Sequence, residues 1–156
     1  MSSSIYYLDT SALIKRYVAE TGSAWIRSLV DPTASNLLLT ARLTIVEARS
    51  ALARRKREAS ISDDDHVFAV GMLANRTFTQ YHFVELEETV VYLAGDLLDH
   101  HPLRAYDAVQ LASALMINSA LIAAELPGLI FLTADDRLSS IAQIEDMACD
   151  NPNFYP

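Results

Sequence analysis

Short apolar runs at Ile5–Leu8, Leu37–Thr40, Phe83–Leu86 and Leu129–Thr133 are spread along a chain of 156 residues, with helix-like stretches between them. Each run is too short for a helix and reads as a strand. Their apolar side chains largely follow one another instead of alternating with polar ones, so both faces of each strand must be covered. That is the pattern of a parallel sheet with helices on either side. The length fits one domain over residues 1–156, and a composition that is 51% hydrophobic supplies a core without cross-links. Cys149 is the single cysteine, which excludes an intrachain disulfide.

Between the strands the pattern predicts helices over Ala12–Val18, Ser23–Val30, Leu43–Arg57, Ser62 to Gln80, Glu87–Asp99, Arg104–Ala120 and Arg137–Ile144. Thr10 or Ser11 can cap the first, and Ser62 with Asp65 has the shape of a capping box. Met147–Cys149 is a candidate last strand. The start of the chain has no basic and apolar leader pattern, and the apolar stretch 112–126 is broken by Ser113, Asn118, Ser119 and Glu125. A soluble, cytoplasmic protein without a membrane span is expected.

In an open α/β sheet, sites form beyond the carboxyl ends of the strands. Asp9 directly follows the first strand, and Asp135 lies two residues beyond Thr133, the end of the fourth. Glu47 and Asp107 stand among apolar or small neighbours at the starts of two helices. Each acid has a structural explanation when taken alone. Asp9, Asp135 or Asp136 can cap a helix, and Glu47 and Asp107 suit the dipole of a first helical turn. Together they make a set that a divalent cation would neutralise. Hard oxygen donors select Mg²⁺ or Mn²⁺.

The segments Tyr7-Leu8-Asp9-Thr10-Ser11-Ala12-Leu13, Val46-Glu47-Ala48, Tyr106-Asp107-Ala108-Val109-Gln110-Leu111-Ala112 and Leu132-Thr133-Ala134-Asp135 resemble those of the PIN-domain nucleases. Within that family the likeness is to the VapC-type toxins of toxin–antitoxin pairs, and it runs from Ile5 to about Cys149. The resemblance implies a three-layer α/β/α sandwich with a central parallel sheet of four or five strands. It implies a metal-dependent endoribonuclease in which Asp9, Glu47, Asp107 and Asp135 hold one or two Mg²⁺ or Mn²⁺ ions, with Asp136 an alternative to Asp135. Thr10 and Thr133 become hydrogen-bonding supports for these acids. RNA, a cognate antitoxin and a second copy of the chain become the partners. A non-catalytic PIN-like binding module and a housekeeping RNA-processing nuclease are the competing roles. The family usually places a glycine before its last strand, and Ile144-Glu145-Asp146-Met147 has none.

Other chemistries fail on their residues. A phosphatase of the haloacid dehalogenase type needs a second aspartate where Ser11 stands. His66, His82, His100 and His101 lack zinc-site spacing. The net charge of −8 argues against a protein that coats nucleic acid, but it is unevenly spread. Residues 42–57 hold six cations against one carboxylate, a net of +5, which leaves −13 on the remainder. Arg49 and Arg54 in this cluster, with Arg16 and Arg104, are candidate RNA contacts. RNA binding should therefore be local and cation-dependent.

Overall fold

A computed structural model describes residues 3–77 and 79–156. Among the described residues the strands are β1 (Ile5–Leu8), β2 (Leu37–Ala41), β3 (Tyr81–Val84), β4 (Ile130–Leu132) and β5 (Cys149–Asp150). They form one parallel sheet in the order β3-β2-β1-β4-β5. The α-helices are α1 (Thr10–Leu13), α2 (Ser23–Leu29), α3 (Leu43–Arg57), α4 (Asp63–Thr77), α5 (Glu88–His100), α6 (Ala105–Ala123) and α7 (Asp136–Ile144).

Successive side chains of a strand leave opposite faces of the sheet, and here both faces are apolar. Tyr7, Leu39 and Phe131 pack under α5, α6 and α7 with Val90, Leu97, Leu111 and Leu138. Leu8, Leu38 and Leu132 pack under α1 to α4 with Leu13, Ile26, Leu52 and Leu73. This is the three-layer sandwich that the continuous apolar runs predict. By length and composition α6 is apolar enough to cross a membrane. In this fold it is the central helix of one layer, with Ala108, Leu111, Ala112 and Ala114 fully buried.

Several boundaries differ from the expected ones, three of them for a visible reason. The first helix starts earlier, at Thr10, because the Asp9 carboxylate caps it by accepting from the amide of Ala12 (2.9 Å). It then tightens into a 3₁₀ turn over Ile14–Arg16. β3 lies two residues earlier than predicted, since Leu38 pairs with Tyr81 and Ala41 with Val84. Tyr81 looks polar-tipped, but its hydroxyl is satisfied inside the fold, 2.7 Å from that of Tyr17. The last strand is Cys149–Asp150, and Asp146 takes the left-handed conformation (φ +59°) that a glycine would otherwise supply. Aspartate is among the few residues that tolerate it. The Ser62–Asp65 capping box forms, with the Asp65 amide donating to Ser62 Oγ (3.0 Å). The expected continuation of α4 through residue 78 lies outside the described residues.

A C-terminal strap closes the fold. Tyr155 stacks on Trp25 of α2, ring centroids 4.1 Å apart, and Pro152 lies against Gly22. Gly22 has φ +83°, and a Cβ there would sit 2.2 Å from the Pro152 carbonyl oxygen. Gly22→Ala is expected to destabilise the chain by about 2–4 kcal/mol, combining backbone strain with overpacking, as read by urea denaturation.

Candidate active site

The strand order changes direction at β1. Its successors β2 and β3 lie on one side, and β4 and β5 lie on the other. The crevice at such a switch opens at the carboxyl ends of the two central strands. A cavity of about 340 Å³ lies there, and Asp9, Glu47, Asp107 and Asp135 all line it, together with Thr10.

Asp9 leaves the end of β1, where its amide donates to the Leu132 carbonyl of β4 (3.1 Å). Its carboxylate is buried and accepts three hydrogen bonds from the chain, which leaves Oδ2 with room for a further partner. Oδ1 accepts from Ser11 Oγ (2.7 Å) and the Ala12 amide, and Oδ2 accepts from Thr133 Oγ1 (2.7 Å). Burial nevertheless dominates, pushing its pKa from 3.8 to about 6, with a smaller upward push from the charge of Asp107. Thr133 also accepts from the amide of Asp135 (3.1 Å), and Ser11 accepts from that of Ala134 (2.8 Å). These two hydroxyls therefore tie the β1 end to the β4 loop.

Asp135 caps α7. Its Oδ1 accepts from the amides of Arg137 (2.9 Å) and Leu138 (3.2 Å), which fixes the carboxylate at the cavity wall. Asp136 does not line the cavity; its Oδ1 accepts from Asn151 Nδ2 (2.7 Å). The geometry thus favours Asp135 of the two.

Glu47 is held from α6. Gln110 Nε2 donates to Glu47 Oε1 (2.9 Å) and to Thr44 Oγ1 (2.8 Å), while its Oε1 accepts from the buried Tyr7 hydroxyl (2.7 Å). Thr10 also hydrogen-bonds Glu47. Burial raises the Glu47 pKa, against the pull of Gln110 and Thr10, and Asp107 adds to the rise. Asp107 lies one helical turn before Gln110 on α6. Burial raises its pKa first and the charge of Asp135 second, against the pull of Arg104 and Arg137. Among the described residues its carboxylate accepts no hydrogen bond and forms no ion pair within 4 Å. Among those residues, too, no three acidic, imidazole or thiol groups stand close enough together to hold a metal ion as the side chains are placed. The acids line one cavity, Asp107 raises the pKa of Asp9 and of Glu47, Asp135 raises that of Asp107, and Asp107 lacks a donor. Carboxylate oxygens are the donor type that Mg²⁺ and Mn²⁺ take.

Gln110 and Ser11 are the functional side chains that sequence reasoning missed. Gln110 is 2% exposed on an apolar helix, one turn from Asp107, and that polar intrusion was the available signal. Of the candidate RNA contacts, Arg54 and Arg104 line the cavity, and Arg16 lines a separate groove. The 3₁₀ turn directs Arg16 to Tyr81, whose hydroxyl accepts from it (2.8 Å), and to Gln80. Arg49 is exposed outside the cavity. Three of the clustered cations have acidic partners: Arg42 with Glu85 (2.5 Å), Arg55 with Glu20 (2.9 Å) and Lys56 with Asp63 (3.6 Å).

A model of the PIN domain family matches residues 6–144. The chain belongs to the PIN-domain family. It is 35% identical over 139 residues to ribonuclease VapC45 of Mycobacterium tuberculosis, covering 86% of each chain. Two solved structures share the fold. VapBC2 from Rickettsia felis, bound to a DNA fragment from its promoter, superposes with a TM-score of 0.60 at 10% identity, over 94% of this chain and 98% of that one. Mycobacterium tuberculosis VapC20, a sarcin-ricin loop cleaving toxin, gives 0.59 at 19% identity, over 88% and 94%.

The raised pKa of Asp9 has a consequence for the metal-free PIN domain. Well below pH 3.8 the carboxyl is protonated in both the folded and the unfolded chain, and its burial carries no ionisation penalty. As pH rises from 3.8 through about 6, the unfolded chain ionises first and stability falls. In a chelator, the stability of Asp9→Asn relative to the wild type should therefore shift in the variant's favour by up to about 3 kcal/mol between roughly pH 3 and pH 7, as read by urea denaturation across pH. Gln110→Leu should lose about 2–3 kcal/mol at neutral pH, because it strands the Tyr7 hydroxyl and uncovers Glu47.

Proposed function

We infer that this PIN domain is a metal-dependent endoribonuclease that hydrolyses RNA phosphodiester bonds, the toxin component of a toxin–antitoxin pair. The observation that carries the reading is the set of four carboxylates around one cavity, from β1, α3, α6 and the β4 loop, with Asp107 left without a protein donor. The ribonuclease relative, aligned over 86% of both chains, supports the same chemistry.

Asp9, Glu47, Asp107 and Asp135 would hold one or two Mg²⁺ or Mn²⁺ ions, the ions that carboxylate oxygens favour. A bound ion of this kind lowers the pKa of a water and offsets charge on the phosphate oxygens. The chain's own groups set the geometry. Ser11 and Thr133 fix both oxygens of Asp9, while Gln110 and Thr10 aim Glu47 at the cavity. Arg54 and Arg104 line the cavity and attract the RNA backbone.

The antitoxin and homodimer surfaces are part of the same reading. An exposed groove lined by Tyr17, Val30, Pro32, Phe68 and Met72 is the seat for an apolar antitoxin segment, and VapBC2 supports an antitoxin partner. Val91, Tyr92 and Leu98 on α5 form an exposed apolar strip suited to a second copy. The place of action is the cytoplasm.

The test is cleavage of single-stranded RNA in Mn²⁺. Asp9→Asn and Asp107→Asn should each cut the rate by at least about 100-fold, with circular dichroism unchanged. Chelation should silence the wild type and Mn²⁺ should restore it. Full activity in both variants would sink the assignment of these acids to the catalytic centre. Growth arrest on expression, relieved by a neighbouring small gene, separates a toxin from a housekeeping enzyme.

A further inference from the structure

The cavity has a second wall, opposite in charge, that the four acids do not use. Lys15 lines it, yet only 6% of its side chain is exposed. Its ammonium donates to Glu20 Oε1 (3.2 Å) and to the Thr21 carbonyl (2.8 Å). An ammonium has three N–H groups, and the third has no protein acceptor among the described residues. A buried donor left unpaired is costly, so its persistence beside a cavity points to a ligand. Arg55 reaches the same carboxylate from α3, with its Nη2 2.9 Å from Glu20 Oε2. It also lines the cavity, and Glu20 bridges the two cations. Two cations share one carboxylate, so the trio carries a net positive charge.

We propose that Lys15 and Arg55, spaced by Glu20, form a binding subsite for a phosphate of the RNA backbone next to the acidic centre. This deepens the ribonuclease reading and rests on it. The non-bridging oxygens of a phosphodiester accept from the spare N–H of Lys15 and from the remaining donors of the Arg55 fork. One phosphodiester charge matches the excess of the trio. Burial holds Lys15 in place, so the subsite fixes the register of the strand over the carboxylates. Holding the cation and holding the backbone then fall to different side chains.

The experiment measures anisotropy of a short fluorescein-labelled oligouridylate in Mg²⁺, on the full chain carrying Asp107→Asn so that the RNA stays whole. Lys15→Met and Arg55→Gln should each weaken binding about tenfold and lower the slope of log Kd against log salt by about one. Glu20→Gln should tighten binding several-fold, because it frees both cations while keeping an amide oxygen for them to donate to. Mn²⁺ affinity by calorimetry should stay unchanged in all three. A purely structural Lys15–Glu20 bridge predicts the opposite sign for Glu20→Gln. Arg55 is partly exposed and outside the core, so its variant keeps the test open if Lys15→Met fails to fold. Unchanged affinity in Arg55→Gln, or weaker binding in Glu20→Gln, overturns the subsite. Cleavage by the otherwise wild-type chain is scored separately. Cleavage without the anisotropy pattern sinks the subsite alone, and the pattern without cleavage sinks the nuclease reading but keeps the subsite.

Discussion

A carboxylate buried at the end of a strand must be held by something, and much of this structure is organised around holding Asp9. The sheet order sets β1 directly beside β4, so the first strand's end meets the loop that carries Thr133 and Asp135. Ser11 and Thr133 each give their one hydroxyl hydrogen to Asp9 and accept an amide from the β4 loop. The same contacts that satisfy the acid therefore also align the two central strands. What they leave is a carboxylate that still resists ionisation, beside three more that do not relieve it.

The layers of the fold were legible because uninterrupted apolar strands have one solution, cover on both faces. The acids were legible because strand ends and helix starts are local features. Gln110, Ser11 and Lys15 gain their meaning from partners far along the chain. Gln110 meets Thr10 and Tyr7 from about a hundred residues away, and no window of sequence contains both ends. Arg16 lies away from the acids, in the 3₁₀ turn, where it meets Tyr81 from 65 residues further along the chain. The missing glycine before the last strand mattered less than the family pattern implied, because Asp146 fills the left-handed position.

Charge reads differently in three dimensions. The net of +5 over residues 42–57 suggested an open basic face, yet Arg42 and Lys56 each answer an acid outside that segment, and Arg55 shares Glu20 with Lys15. The salt bridge at Arg42 is exposed and contributes at most about 1 kcal/mol, but it removes a cation from any RNA surface. What remains facing the cavity is a small group at its rim, suited to one stretch of backbone and poorly suited to coating a duplex.

Gln110 sits inside the core and touches the site at the same time. Its amide joins the Tyr7 hydroxyl under the sheet to Glu47 at the cavity, so the helix cannot pack without also aiming that acid. Consolidating the core and aiming Glu47 therefore draw on the same amide, so a change that loosens one loosens the other.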